Sequence, residues 1–195
     1  MNSIDRRVRR SKKLLSEALI ALTLEKNYEE ITIQDITEQA DVGYRTFFRH
    51  YTDKDALLND VVATTMMELR ELISPPLPEI FATPELEAFE LTNGRVIFQH
   101  VQQHSDLYRV LLRSERSLME SIMEFAIKEI KTNFGAIAQS DIPFSIIANH
   151  IVSSTIALIR WWLDHGMTQS VEDMGKYYAR LIIKPTRETI VKPTL

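Results

Sequence analysis

The sequence predicts an all-α protein in two parts, an N-terminal three-helix head and a longer helical remainder. Three observations predict it. Apolar residues recur at helical spacing almost throughout. Glycine (5) and proline (7) are few in 195 residues, and alternating β-branched runs are nearly absent. Four of the seven prolines fall in one stretch, residues 74–84, which divides the chain.

The elements follow in order. Leu15, Ala18, Leu19 and Leu22 line one face of a first helix, roughly residues 5–26, which Asn27 and Tyr28 break. Thr32 is a good N-cap for a second helix through Ala40. Asp41, Val42 and Gly43 make a turn, residues 44–51 form two short helical turns, and Asp53 caps a longer helix to about Ile73. After the proline-rich connector, helices are expected near residues 85–104, 106–113, 115–134, 142–165 and 170–183. The tail from 184 to 195, with Pro185 and Pro193, is expected to fray. The domain division follows: 1–57 as the head, 58–195 as the second domain.

Composition narrows the function classes. Hydrophobic residues at 45% allow a substantial core, and with no cysteine there is no disulfide framework and no thiol chemistry. The first residues lack the apolar run of a secretory signal. The window 144–163 is apolar, but Asn149, His150 and Arg160 favour a buried or partner-facing helix over a membrane span. A cytoplasmic protein without membrane contact is expected. The net charge of −4 conceals a basic end: residues 1–13 hold six Arg or Lys and one Asp, whereas 58–195 carry −4. A basic end on an acidic protein is expected either to dock on DNA end-on or to be a solvated tail.

Residues 32–57 have the layout of a helix-turn-helix, whose second helix enters a major groove. Ile33, Ile36 and Ala40 supply the inner face, Val42 plugs the turn, and Phe47 and Tyr51 anchor the short helix. Gly43, Tyr44, Arg45, Thr46, Arg49 and His50 are left facing outward. An arginine there can pair bidentately with guanine, and Tyr44 can touch a thymine methyl or a phosphate. Thr46 and His50 suit phosphate oxygens. Lys54 opens the next helix, where the dipole already favours an anion.

The run Ile31-Thr32-Ile33-Gln34-Asp35-Ile36, then Ala40 to Tyr51, then Lys54 and Leu57, resembles the tetracycline-repressor (TetR/AcrR) family of regulators. The basic first helix, helical remainder and length fit as well. The resemblance implies a homodimer whose recognition helices enter successive major grooves of a palindromic operator. It also implies a C-terminal helical domain that binds a small molecule and changes the spacing of the heads. By position, Gln34, Gly43, Tyr44 and Arg45 fall where the family reads bases, and Thr46, Phe48, His50 and Lys54 where it grips phosphates. Asp41 stands where glycine is usual in the turn, a place Asp tolerates. Phe48 lacks the hydroxyl of the usual tyrosine, so packing is expected of it. Gly43 replaces the commoner serine cap.

In the second part, helices 142–165 and 170–183 are the candidates for a dimer interface, through Ile151, Ser154, Leu158, Trp161 or Trp162, Tyr177, Tyr178 and Leu181. Exposed aromatics, Trp162 and Tyr178 among them, are the expected anchors. A small apolar effector would lie among the middle helices, near Phe98, Tyr108, Leu112, Met123 and Phe125, with His100, His104 and Arg109 as polar fixtures. His100 and His104 share a helix face at i, i+4, but no third ligand at suitable spacing completes a metal site. No cofactor, nucleophile elbow or phosphate loop is indicated. The sequence therefore points to a ligand-responsive, DNA-binding regulator, a repressor rather than an enzyme. The alternative is a protein of the same fold acting through protein contacts with little DNA binding.

Overall fold

The computed structural model describes residues 3–73, 85–113, 116–134 and 141–190. The elements are α1 (Ser3–Glu25), a 3₁₀ turn (Tyr28–Glu30), α2 (Ile33–Gln39), α3 (Tyr44–Phe48), α4 (Lys54–Leu72), α5 (Glu85–Gln103), α6 (Ser105–Arg113), α7 (Arg116–Phe134), α8 (Phe144–Asp164), α9 (Val171–Tyr178), a π-helical turn (Ala179–Ile183) and α10 (Lys184–Ile190). There is no strand among the described residues. The all-helical prediction holds. The expected connector at 74–84, the first residue of the helix expected at 115–134, and the end of the tail at 191–195 lie outside the described residues.

The chain forms two compact units, Met1–Glu68 and Leu69–Leu195, the last turn of α4 falling to the second. In the first unit Leu15, Ala18, Leu19 and Leu22 of α1 are buried with Ile31, Ile36, Ala40, Phe47, Leu57, Val61 and Val62. The apolar face read from α1 is thus the face that packs. In the second unit α5 lies against α9, and α6 and α7 lie against α8. Phe98 is enclosed there, edge-on to Trp162 at 5.4 Å and to Tyr178 at 6.4 Å.

The α5–α9 crossing depends on two glycines. A Cβ at Gly94 would stand 2.8 Å from the Gly175 carbonyl oxygen, and one at Gly175 would stand 2.7 Å from the Arg95 amide nitrogen. Neither distance is tolerable, so the two backbones meet only because both positions lack a side chain.

The end of the chain departs from expectation. The predicted 170–183 helix stops at Tyr178, passes through the π turn and resumes as α10. Pro185 has no N–H to give to a preceding carbonyl, and it sits where the new helix starts and that loss is cheap. Residues 184–190 do not fray: Thr186 is buried, and Arg187 Nη1 lies 3.2 Å from the buried Glu90 carboxylate of α5. A buried carboxylate needs such a cation, which fixes α10 in place.

α8 is long and apolar enough to cross a membrane by length and composition. Here its apolar side, with Ile147, Ala148, Val152, Ile159, Trp162 and Leu163, is buried within the second unit. Asn149, His150, Arg160 and Asp164 lie on its exposed side.

Candidate nucleic-acid interface

The head positions α3 through its neighbours' ends. Thr32 caps α2 in a reciprocal box: its hydroxyl accepts from the Asp35 amide at 3.1 Å, while Asp35 Oδ2 accepts from the Thr32 amide at 2.8 Å. Lys26 pairs with the same carboxylate at 2.8 Å, and this bond with the two from Thr32 holds Asp35 down at about 2. The turn closes at Asp41, whose φ of 50° is left-handed, as the sequence requires of an Asp in this place. Gly43 then caps α3 at an ordinary φ of −59°, without a side-chain bond.

α3 is only five residues long and is held by its anchors. Phe47 is fully buried, with Tyr51 beside it at 5.8 Å between ring centroids. The Tyr51 hydroxyl donates to Asp60 Oδ2 at 2.6 Å, and Lys12 donates to the same oxygen at 3.1 Å. This knot ties α1, the end of α3 and α4 together within the first unit.

Outward, Tyr44 is 55% exposed and Phe48 48%, their rings in edge contact at 5.1 Å. Arg45 and Arg49 are exposed and form no ion pair among the described residues. Thr46 and His50 are half-buried at the margin. Burial, then the nearby charges of Lys12 and Arg49, lowers the His50 pKa. Gln34 is exposed on α2, and its amide donates to Glu38 at 2.8 Å, a bond it must give up to reach a base. Phe48 is exposed at the end of α3, apart from its edge contacts with Tyr44 and Phe47; the packing expected of it is partial.

Lys54 is placed differently from its expected part. Its ammonium donates to the carbonyls of Tyr28 at 2.8 Å and of Glu29 and Ile31 at 3.3 Å. It also lies 4.4 Å from the Tyr28 ring centroid. The charge expected to grip a phosphate is engaged in closing the 3₁₀ turn onto α4. The Tyr28 carbonyl also accepts from the Ile31 amide at 3.1 Å, so the lysine reinforces a turn that a backbone bond already closes.

The predicted interface residues separate into three sets. Trp161 (43% exposed), Tyr177 and Leu181 (68%) are on the surface, with Ile146. Ile151, Ser154 and Leu158 are half-buried. Trp162 is fully enclosed, its indole N–H donating to the Gln169 carbonyl at 3.1 Å, and Tyr178 is buried beside Phe98. The expectation of exposed Trp162 and Tyr178 is corrected: adjacent residues on a helix point about 100° apart, so of each aromatic pair one turns inward.

The predicted effector residues differ in burial. Phe98 and Tyr108 are core, and Met123 and Phe125 are half-buried on α7. Leu112 alone of the five lines an open recess of about 300 Å³, together with Arg109, Arg160, Leu163 and Asp164. His100 is buried; its Nδ1 lies 3.1 Å from the Tyr108 hydroxyl, and its Nε2 has no hydrogen-bond partner among the described residues. Sequence reasoning missed the Gly94–Gly175 crossing, although a glycine inside a helical pattern signals a close approach.

Residues 15–61 match the family model described as bacterial regulatory proteins of the tetR family, and residues 95–184 match one described as a transcriptional regulator C-terminal region. An uncharacterised HTH-type transcriptional regulator of Haemophilus influenzae is 23% identical over 118 residues, 60% of this chain and 56% of its own length. The chain thus spans little more than half of that relative. A TetR-family regulator structure from Syntrophomonas wolfei is similar at a TM-score of 0.72 and 18% identity, over 94% of this chain and 98% of that one. A TetR regulator structure from Streptococcus agalactiae is similar at 0.61 and 25% identity, over 93% and 99%.

Proposed function

Because the chain belongs to the TetR family of DNA-binding transcriptional regulators, proteins that act without catalysis, we propose that it is a cytoplasmic repressor that binds a palindromic operator as a homodimer and leaves it when a small effector binds. The observation that carries this reading is the outer side of α3: Tyr44, Arg45 and Arg49 are exposed on a helix fixed by Phe47 and the Lys12–Asp60–Tyr51 knot, and neither arginine is committed to an ion pair among the described residues. Guanidinium groups left free on a preorganised helix suit guanine edges and phosphates. The exposed apolar set of Ile146, Trp161, Tyr177 and Leu181 supports a second copy as partner. Effector binding would favour a state of the dimer that no longer matches the half-sites, which requires different effector affinities in the two states.

The test is selection of bound duplexes from a random pool with the full chain. An enriched palindrome is expected, and Arg45→Ala should cost about 1–3 kcal/mol of discrimination at one base position. Trp161→Glu should yield monomers by sedimentation and lose affinity for the palindrome. No enrichment at low salt would overturn the DNA reading in favour of a head acting through protein contacts, for which the exposed Tyr44–Phe48 pair would be the surface.

A further inference from the structure

The recess between α6 and α8 carries chemistry that the core does not explain. Arg109 and Leu112 come from α6; Arg160, Leu163 and Asp164 come from α8. The two guanidinium groups and the carboxylate line one space of about 300 Å³, yet none of the three takes part in a hydrogen bond or ion pair among the described residues. Other charged groups of this unit do find partners: Arg70 with Glu129, Arg187 with Glu90, Lys176 with Asp173. Two guanidinium groups against one carboxylate leave the recess with a net positive charge, which an anion between the arginines would neutralise.

We propose that this recess is the effector site and that it takes a small organic carboxylate carrying a second group that donates a hydrogen bond, a hydroxyl or an ammonium. The proposal rests on the ligand-responsive reading above and gives it a chemical class. A carboxylate matches the planar fork of a guanidinium in a way that a neutral or cationic molecule cannot. Asp164 accepts from the donor group. Leu112 and Leu163 cover the carbon skeleton. The volume lies at the lower end of small-molecule sites, which suits a metabolite of about a dozen heavy atoms. The site differs from the apolar pocket read from sequence, since its specificity lies in Arg109 and Arg160 and its walls are only partly apolar.

The test uses the purified full chain and a panel of hydroxy- and amino-carboxylates, aliphatic and aromatic, with their methyl esters as uncharged counterparts, followed by calorimetry and by release of the selected duplex. At least one acid is expected to bind and its ester to fail. Arg109→Gln and Arg160→Gln should each weaken binding at least tenfold; Arg160 is exposed, so its variant tests the site without disturbing the core. Asp164→Asn should weaken hydroxy- and amino-acids but spare the plain acid of the same skeleton. Lys128→Gln, an exposed cation of α7, should bind as the unaltered chain does. If acids bind equally well to the double arginine variant, or if only the esters bind, the site assignment is wrong while ligand responsiveness stands. If acids bind through the arginines but the duplex is not released, the site stands and the ligand-responsive reading falls. If no member of the panel binds at millimolar concentration, the proposed ligand class is overturned.

Discussion

In the head, helix ends are held by polar groups: Thr32 and Asp35 close α2, Asp53 accepts from the Ala56 amide to start α4, Lys54 gathers three carbonyls, and Lys12 and Tyr51 meet on Asp60. In the second unit, α5 and α9 are held by shape: two glycines let the backbones touch, and Phe98, Trp162 and Tyr178 fill the space beside them. The difference suits the parts the two units play. A five-residue helix has too little apolar surface to be fixed by packing alone, so α3 is aimed by its capped neighbours and one buried phenylalanine. The longer helices of the second unit bury enough side chains to be fixed largely by contact, with the Arg187–Glu90 pair added at α10.

Three perturbations test this contrast. Gly175→Ala is expected to have the largest effect, a loss of about 2–3 kcal/mol in unfolding free energy, because the added methyl meets the α5 backbone. In a helix without that contact the same change would gain up to about 1 kcal/mol, so the sign alone decides between packing and propensity. Denaturant unfolding followed by tryptophan fluorescence reads it, since both tryptophans lie in the second unit.

Lys54→Met should cost the head about 1–2 kcal/mol by leaving the carbonyls of the 3₁₀ turn without their cation. Circular dichroism of thermal unfolding at high salt isolates this effect from DNA affinity. An unchanged midpoint would return Lys54 to the phosphate-gripping part that the sequence suggested.

A third perturbation separates the units by pH. Burial, then the neighbouring His104, lowers His100 from 6.5 to about 4. The unfolded chain therefore binds a proton between those values that the folded chain refuses, and stability is lost as pH falls from 6.5 toward 4, by about 3 kcal/mol at most. Asp35 acts in the same direction but in a lower window: its carboxylate is held at about 2, so its contribution to the head survives until pH drops below 3.8. Tryptophan fluorescence of the second unit should respond to denaturant more readily at pH 4.5 than at pH 7. His100→Gln should flatten that difference; a slope unaltered in the variant would assign it to another group.

The head was legible because its determinants are local. Thr32 and Asp35 are three residues apart, Asp41 and Gly43 define the turn by their own backbone preferences, and Phe47 and Tyr51 are one helical turn from each other. What escaped was the aim of Lys54, whose carbonyl partners lie more than 20 residues earlier. In the second unit helical spacing gave the helices but not their mates. The choice between Trp161 and Trp162 turns on about 100° of rotation, which both residues satisfy on hydropathy alone. Phe98 and Tyr108 read equally well as pocket or core, and both are buried, as either part requires.

The sequence by itself determined the helical class, the capped head, the outward set on α3 and the family resemblance, because each rests on interactions reaching no further than a few residues along the chain. Only the tertiary structure decided that Gly94 must face Gly175, that α10 is pinned through Arg187 and Glu90, and that Arg109 and Arg160 open on one recess. Those pairings join residues from 51 to 97 positions apart in the chain. No local preference encodes them; they exist only once two particular helices have packed.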